Sequence, residues 1–220
     1  MNMSTSKKIE VPFIEGLEAM DLEKLDLTME AGASKFSVCE NNWPQDFPYT
    51  PDCNGSIARS RTHLAVMYHV RGLDLRATAL EDNGNSWEDS CCEFFISDPE
   101  DGTYYNFELT CIGSLLSSKR KSRTDSKMFE KEVTAKVIRY TTLEKKIYEI
   151  KDELKEWTVV MMIPFEMIGI DPDNIPSCVR GNFYKCGDLT AHPHFLSWNP
   201  VVTPKPDFHR PEFFGEIIFK

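Results

Sequence analysis

Apolar and polar residues alternate along much of this chain, and the period is that of a β-strand. Over residues 61–70, Leu64, Val66, Tyr68 and Val70 fall on one face and His63, Ala65, Met67 and His69 on the other. Gly72 breaks the run, and residues 73–79 resume it as a second strand. The polar turn Asp82-Asn83-Gly84-Asn85 then leads into the stretch from Trp87 to Asp98, a short apolar strand stopped at Asp98-Pro99. Asp98-Pro99-Glu100-Asp101-Gly102 has the chemistry of a hairpin turn. Beyond it Tyr105, Phe107, Leu109 and Cys111 make an apolar face, and Tyr104, Asn106, Glu108 and Thr110 a polar one. Strands are also predicted over residues 133–140, 157–163, 179–188 and 213–219. Leu143, Ile147, Ile150 and Leu154 recur at helical spacing and predict a helix. Residues 20–30 suit a short helix or an edge strand equally. Residues 119–131, basic and Ser-rich, and 192–202, centred on Trp198-Asn199-Pro200, read as loops. Short strands separated by turn signals give an all-β fold, an antiparallel β-sandwich with one or two short helices. It is expected to run over residues 11–220 as one domain behind a flexible tail at 1–10.

Composition narrows the partners. The 220 residues carry 41% apolar side chains, enough for a sizeable core, and a net charge of −10. An acidic surface argues against nucleic acid and against an anionic membrane, and no apolar run is long enough to span a bilayer. Residues 1–10 lack the apolar segment of a signal peptide. The expectation is a cytoplasmic protein, with export left open if a targeting segment precedes this sequence. Seven cysteines with no framework spacing read as mainly reduced thiols. Cys91 and Cys92, adjacent in a strand, point to opposite faces.

The stretch around Trp87 carries the candidate chemistry. Trp87 stands at the mouth of a strand, and Glu93 lies inside it between Cys92 and Phe94. A carboxylate there is costly unless it has a partner or faces a wet groove. A ring at the rim beside a carboxylate on the sheet is what a sugar platform needs: the ring stacks on C–H faces, and the carboxylate accepts from vicinal hydroxyls. The bland alternative is a core tryptophan and a glutamate in a structural ion pair. Glu93 and Glu108 as a glycoside-hydrolysing pair form a second alternative. Cys186, His192 and His194 bring zinc to mind, but their spacing matches no established pattern.

Several segments follow one another in order: the 87–96 stretch, Tyr104-Tyr105-Asn106-Phe107-Glu108, Trp157 through Phe165, Arg180 to Cys186, Ser197-Trp198-Asn199-Pro200 and Phe213-Phe214-Gly215. Together they resemble a family 9 carbohydrate-binding module of the free-standing kind, from about Trp43 to the C-terminus. The resemblance implies a DOMON-like or jelly-roll-like sandwich that binds a saccharide without modifying it, in support of carbohydrate catabolism. In the modules appended to xylanases two tryptophans clamp the sugar. By motif position these would be Trp87 and Trp198, with Glu93, Asn106 and Glu108 on the polar strands beneath; strand phase adds Arg180 and Asn182 to that floor, with Arg180 able to hold a carboxylate. No cofactor is implied for binding. Structural calcium is, with ligands that do not map onto this chain. DOMON-like sandwiches also bind haem through Met and His, which offers a further alternative with Met67 and His69, or His192 and His194, as ligands. A partner glycoside hydrolase is implied as well.

Overall fold

The computed structural model describes residues 6–220. In chain order the strands are β1 Lys8–Val11, β2 Ser34–Ser37, β3 Glu40–Asn41, β4 Asp52–Arg59, β5 His63–Gly72, β6 Leu75–Ala77, β7 Cys91–Ser97 and β8 Tyr104–Thr110. They continue with β9 Leu115–Arg120, β10 Ser126–Met128, β11 Ile138–Thr141, β12 Tyr148–Ile150, β13 Lys155–Pro164, β14 Cys178–Cys186, β15 Phe195–Ser197 and β16 Gly215–Phe219. Helix α1 is Leu22–Gly32 and the single-turn α2 is Lys131–Thr134.

A nine-stranded sheet runs β1-β16-β14-β7-β8-β9-β10, with β15 joining β14 to β3. A five-stranded sheet runs β11-β13-β5-β4-β2. The strands pair antiparallel except β1, which lies parallel to β16. The sheets share one apolar core, in which Phe94, Phe107 and Phe183 meet Phe36, Tyr68 and Val159. Phe36 and Phe183 stack across it at 3.9 Å. The five-stranded sheet is buried on its other face too. There α1, capped by Asp21 accepting from the Lys24 N–H at 2.9 Å, lays Leu25 and Met29 on Ala65, Met67, Val160 and Met162. This is why β5 is apolar on both faces. The far face of the nine-stranded sheet is covered in part by the loop between β15 and β16, through Val201, Phe208 and Phe214. The cleft described below opens on that face.

The antiparallel sandwich with two short helices is as the periodicity predicts. Five local expectations change. The loop predicted at 192–202 contains β15, which pairs with β14 and β3. The tail predicted at 1–10 lies outside the described residues over 1–5, but Lys8–Val11 is a strand at the edge of the large sheet. Residues 143–154 form no helix. Tyr148–Ile150 pairs with Leu75–Ala77 instead. Ile147 and Leu154 stay exposed, so the helical spacing never made one apolar face. The basic stretch at 119–131 contains the end of β9 and the whole of β10. The strand predicted at 133–140 is split into α2 and β11.

Candidate functional site

The hairpin of β7 and β8 sets the floor. Gly102 takes the left-handed conformation at φ 71° that closes the turn. Asp98 pins it, accepting from the Glu100 N–H at 2.9 Å, the Tyr105 hydroxyl at 2.5 Å and the Lys119 ammonium at 2.9 Å. The resulting register puts Glu93 directly opposite Glu108, and Phe95 opposite Asn106. The alternation read from sequence holds: Cys92, Phe94 and Ile96 enter the inter-sheet core, while Cys91, Glu93 and Phe95 face the other way.

Trp87 is placed by a short 3-10 turn, Ser86–Glu88. Asn83, in the left-handed region at φ 62°, turns the chain ahead of it. Buried Asp89 anchors the segment: it accepts from the Thr78 and Ala79 N–H groups at 2.7 and 2.8 Å and pairs with Arg76. The Asp188 and Leu189 N–H groups donate to the Trp87 and Glu88 carbonyls, tying the turn to the exit of β14. Trp87 keeps 37% of its surface exposed.

Between these parts lies a cleft of about 250 Å3, near the lower end of the ~300–1,000 Å3 range of small-ligand sites. Glu93, Glu108 and Cys186 form its floor; Trp87, Phe195 and Phe208 its aromatic walls; Arg120, Arg123 and Asp188 stand among the charged groups at its sides. Phe208 is held by stacking on Tyr184 at 4.1 Å. His209 completes the wall, in contact with the Tyr104 hydroxyl at 3.1 Å. Burial, with Arg120 and Arg123 nearby, pushes its pKa down to about 3, so the ring is neutral.

The floor is electrostatically tense. Burial and then repulsion from Glu108 push the Glu93 carboxyl well above the ordinary carboxylate range. Burial pushes Glu108 up to about 7 against the pull of Arg120 and Asn106, and burial with Glu88 nearby pushes Asp188 up to about 6. The Cys186 thiol donates to Glu93 Oε1 at 2.9 Å, and Asn106 Nδ2 donates to Glu108 Oε1 at 2.8 Å. Glu108 Oε2, equally buried, has no hydrogen-bond partner among the described residues.

The structure therefore gathers Trp87, Glu93 and Glu108, with Asn106 immediately behind, and separates the rest. Trp198 is 6% exposed, belongs to the inter-sheet core and meets Phe183 edge-on at 5.3 Å. It is no second wall: the Trp198 N–H donates to the Phe183 carbonyl, and this pairing turns the indole inward. Gly215 lies against the indole, and a Cβ there would collide with it. Gly215→Ala is expected to lower stability by about 1–3 kcal/mol, read from the denaturant midpoint. Arg180 is exposed and donates to the Phe214 and Glu212 carbonyls at 2.5 and 3.3 Å, away from both glutamates. Asn182 is spent on the loop backbone, donating to the Asn199 carbonyl and accepting from the Asn199 N–H at 3.0 and 2.8 Å. Arg120 takes the place predicted for Arg180: its Nε donates to Asn106 Oδ1 at 2.9 Å. Leu116, Ser118 and Arg120 share the phase of Glu108 through the β8–β9 register, a signal present in the sequence but masked by the loop-like composition. Phe208 and His209 carry no periodic signal.

The other candidate groups dissolve. Met67 is sealed beneath α1, so it and His69 make no haem clamp. His192 Nδ1 contacts Asp74 at 3.0 Å, while both ring nitrogens of His194 are engaged, by Lys185 Nζ and the His192 carbonyl, each at 2.8 Å. Cys186 faces the cleft, whereas the neighbouring Lys185, with His194, lies across the sheet, so the three zinc candidates do not converge. For the implied calcium, the only close group of three His, Cys, Asp or Glu side chains among the described residues is Cys91, Glu93 and Cys186. Its two sulfurs are the wrong donors for a hard, oxygen-seeking ion.

Comparison with known proteins agrees with this architecture. The sequence profile of Carbohydrate-binding family 9 matches residues 23–219. A candidate carbohydrate-binding protein from Bacteroides uniformis ATCC 8492 is 33% identical, with a TM-score of 0.88 over 98% of this chain and 100% of that one. A family 9 carbohydrate-binding module from Caldicellulosiruptor kristjanssonii, solved in complex with glucose, is 14% identical, with a TM-score of 0.51 over 97% of this chain and 96% of that one. None of the curated proteins matches. With nearly its whole length covered by the profile and by a structure one-third identical, the chain belongs to carbohydrate-binding family 9.

Proposed function

We propose that the cleft beside Trp87 binds a neutral saccharide and leaves it unmodified. The observation that carries this reading is the buried pair Glu93 and Glu108 under an exposed indole, with Glu108 Oε2 lacking a donor among the described residues. A buried carboxylate oxygen without a donor is costly, and a sugar hydroxyl supplies the missing proton. Vicinal hydroxyls donate to the two carboxyls, Asn106 and Arg120 hold Glu108 in place, and Trp87 covers the apolar face of the ring, with Phe195 and Phe208 opposite in the role first given to Trp198. Binding rather than hydrolysis is supported by the family to which the chain belongs, a carbohydrate-binding one. Capture of sugar for breakdown by a separate glycoside hydrolase is the role that such a module serves.

Calorimetric titration tests this with a panel of neutral mono- and oligosaccharides. Glucose comes first, because a family member of the same fold was solved with it. Trp87→Ala and Glu93→Gln are each expected to weaken binding at least tenfold, about 1.4 kcal/mol. Binding that is unchanged in both variants, or no binding across the panel, overturns the proposal.

A further inference from the structure

Cys91 and Glu93 are two residues apart on β7 and share a face. Cys186 stands opposite Cys91 in the β7–β14 register. The two sulfurs and a Glu93 oxygen all lie within 4.8 Å of one another. A tetrahedral centre with metal–sulfur bonds of about 2.3 Å sets its sulfurs about 3.8 Å apart, a closure within reach of small side-chain rotations. Cys186 and Glu93 line the cleft, so the group is open on one side, and Asp188 lines the same cleft.

A second observation concerns charge. Glu93, Glu108 and Asp188 crowd one small cleft. The donor to Glu93 is a thiol rather than a cation. Lys185, the nearest buried ammonium in sequence, is committed across the sheet to the Cys186 carbonyl and His194. Among the described residues no ammonium or guanidinium is hydrogen-bonded to Glu93 or to either thiol, although Arg120 and Arg123 line the same cleft.

We propose that Cys91, Cys186 and Glu93 form a site for a thiophilic divalent cation of the zinc type, with its fourth coordination position open to the cleft. Two thiolates and a carboxylate suit such an ion, and three protein ligands with one open position is a recurrent zinc arrangement. On binding, the two S–H bonds break and Glu93, whose burial favours the protonated carboxyl, gives up any proton it holds; two metal–sulfur bonds and one metal–oxygen bond form, and the protons pass to the buffer, with no change in oxidation state. The site stands on the thiol geometry; it shares Glu93 with the saccharide reading, and zinc titration of the thiol variants tests it separately from any saccharide titration. Cys92, pointing to the opposite face, takes no part.

Zinc titrated into the reduced full chain tests this by calorimetry in two buffers of different ionisation enthalpy, which counts released protons. Cadmium provides an optical reading through near-ultraviolet cadmium–thiolate absorption. The exposed Cys39 and Cys178 are first replaced as Cys39→Ser and Cys178→Ser. In that background one equivalent of zinc and release of about two to three protons, two from the thiols and up to one from Glu93, are expected. Cys91→Ser with Cys186→Ser is expected to weaken binding by more than the ~10-fold that loss of an outer partner costs. Absence of zinc binding in the background protein overturns the proposal, and so does binding that survives removal of both thiols. If that pair of changes prevents folding, Cys186→Ser alone and the proton count decide.

Discussion

Trp198→Ala is expected to destabilise the fold by about 3–5 kcal/mol, the range for emptying a buried tryptophan site, while Trp87→Ala costs about 1 kcal/mol or less. The two indoles resemble each other as sequence signals, and the structure gives them opposite duties. Trp198 fills the space between Phe183 and Gly215 inside the sandwich. Its removal leaves a hole that neighbouring rings, fixed by stacking across the sheets, are badly placed to close. Trp87 sits on a turn held by Asp89 through backbone bonds that do not involve the indole. Denaturant unfolding of both variants beside a saccharide titration separates the roles. Trp198→Ala should lose stability and keep affinity while folded, and Trp87→Ala should do the reverse. Equal stability losses would contradict this division.

Glu108→Gln is expected to change the dependence of stability on pH, because the native carboxyl titrates at about 7 rather than near 4.5. A raised native pKa means that the folded state holds the proton over a range in which the unfolded state has released it. Stability from this group is fully present below pH 4.5 and is lost as pH rises through about 7. The rise from 4.5 to about 7 corresponds to on the order of 3 kcal/mol. Glutamine carries no such loss, so the variant should gain on the parent protein between pH 5 and pH 8, seen as converging or crossing melting curves. Glu93→Gln has the same sign, since burial and Glu108 raise Glu93 too. Saccharide affinity should run the other way, increasing with pH, since the ionised carboxyl is the better acceptor. A parallel pH profile for Glu108→Gln and the parent would refute the buried-carboxylate account.

The fold was legible where local pattern and tertiary demand coincide. Alternation in β7, β8 and β14 assigns Glu93, Asn106, Glu108 and Asn182 to one face, and the register confirms the phase of each. Alternation cannot say what lies above a face. Phe208 arrives there from a loop far along the chain, so the expected open, wet sheet face is instead a cleft with buried acids. Asn182 and Arg180 have the right strand for the floor but lie farther along it, where the loop before β16 takes their hydrogen bonds. Trp198 misled because a Trp-Asn-Pro loop reads as exposed, whereas its N–H pairs with β14 and carries the ring inward. Residues 143–154 misled because pairing with β6 outweighs helical spacing in an isolated segment.

The central claim is that one cleft, between Trp87 and the Glu93–Glu108 pair, receives the sugar. A crystal structure of the protein soaked with a saccharide that it binds in solution tests this most directly. The account predicts a sugar ring against the Trp87 indole with adjacent hydroxyls within hydrogen-bond reach of Glu93 and Glu108. A sugar seated on any other surface, with this cleft empty, would contradict it.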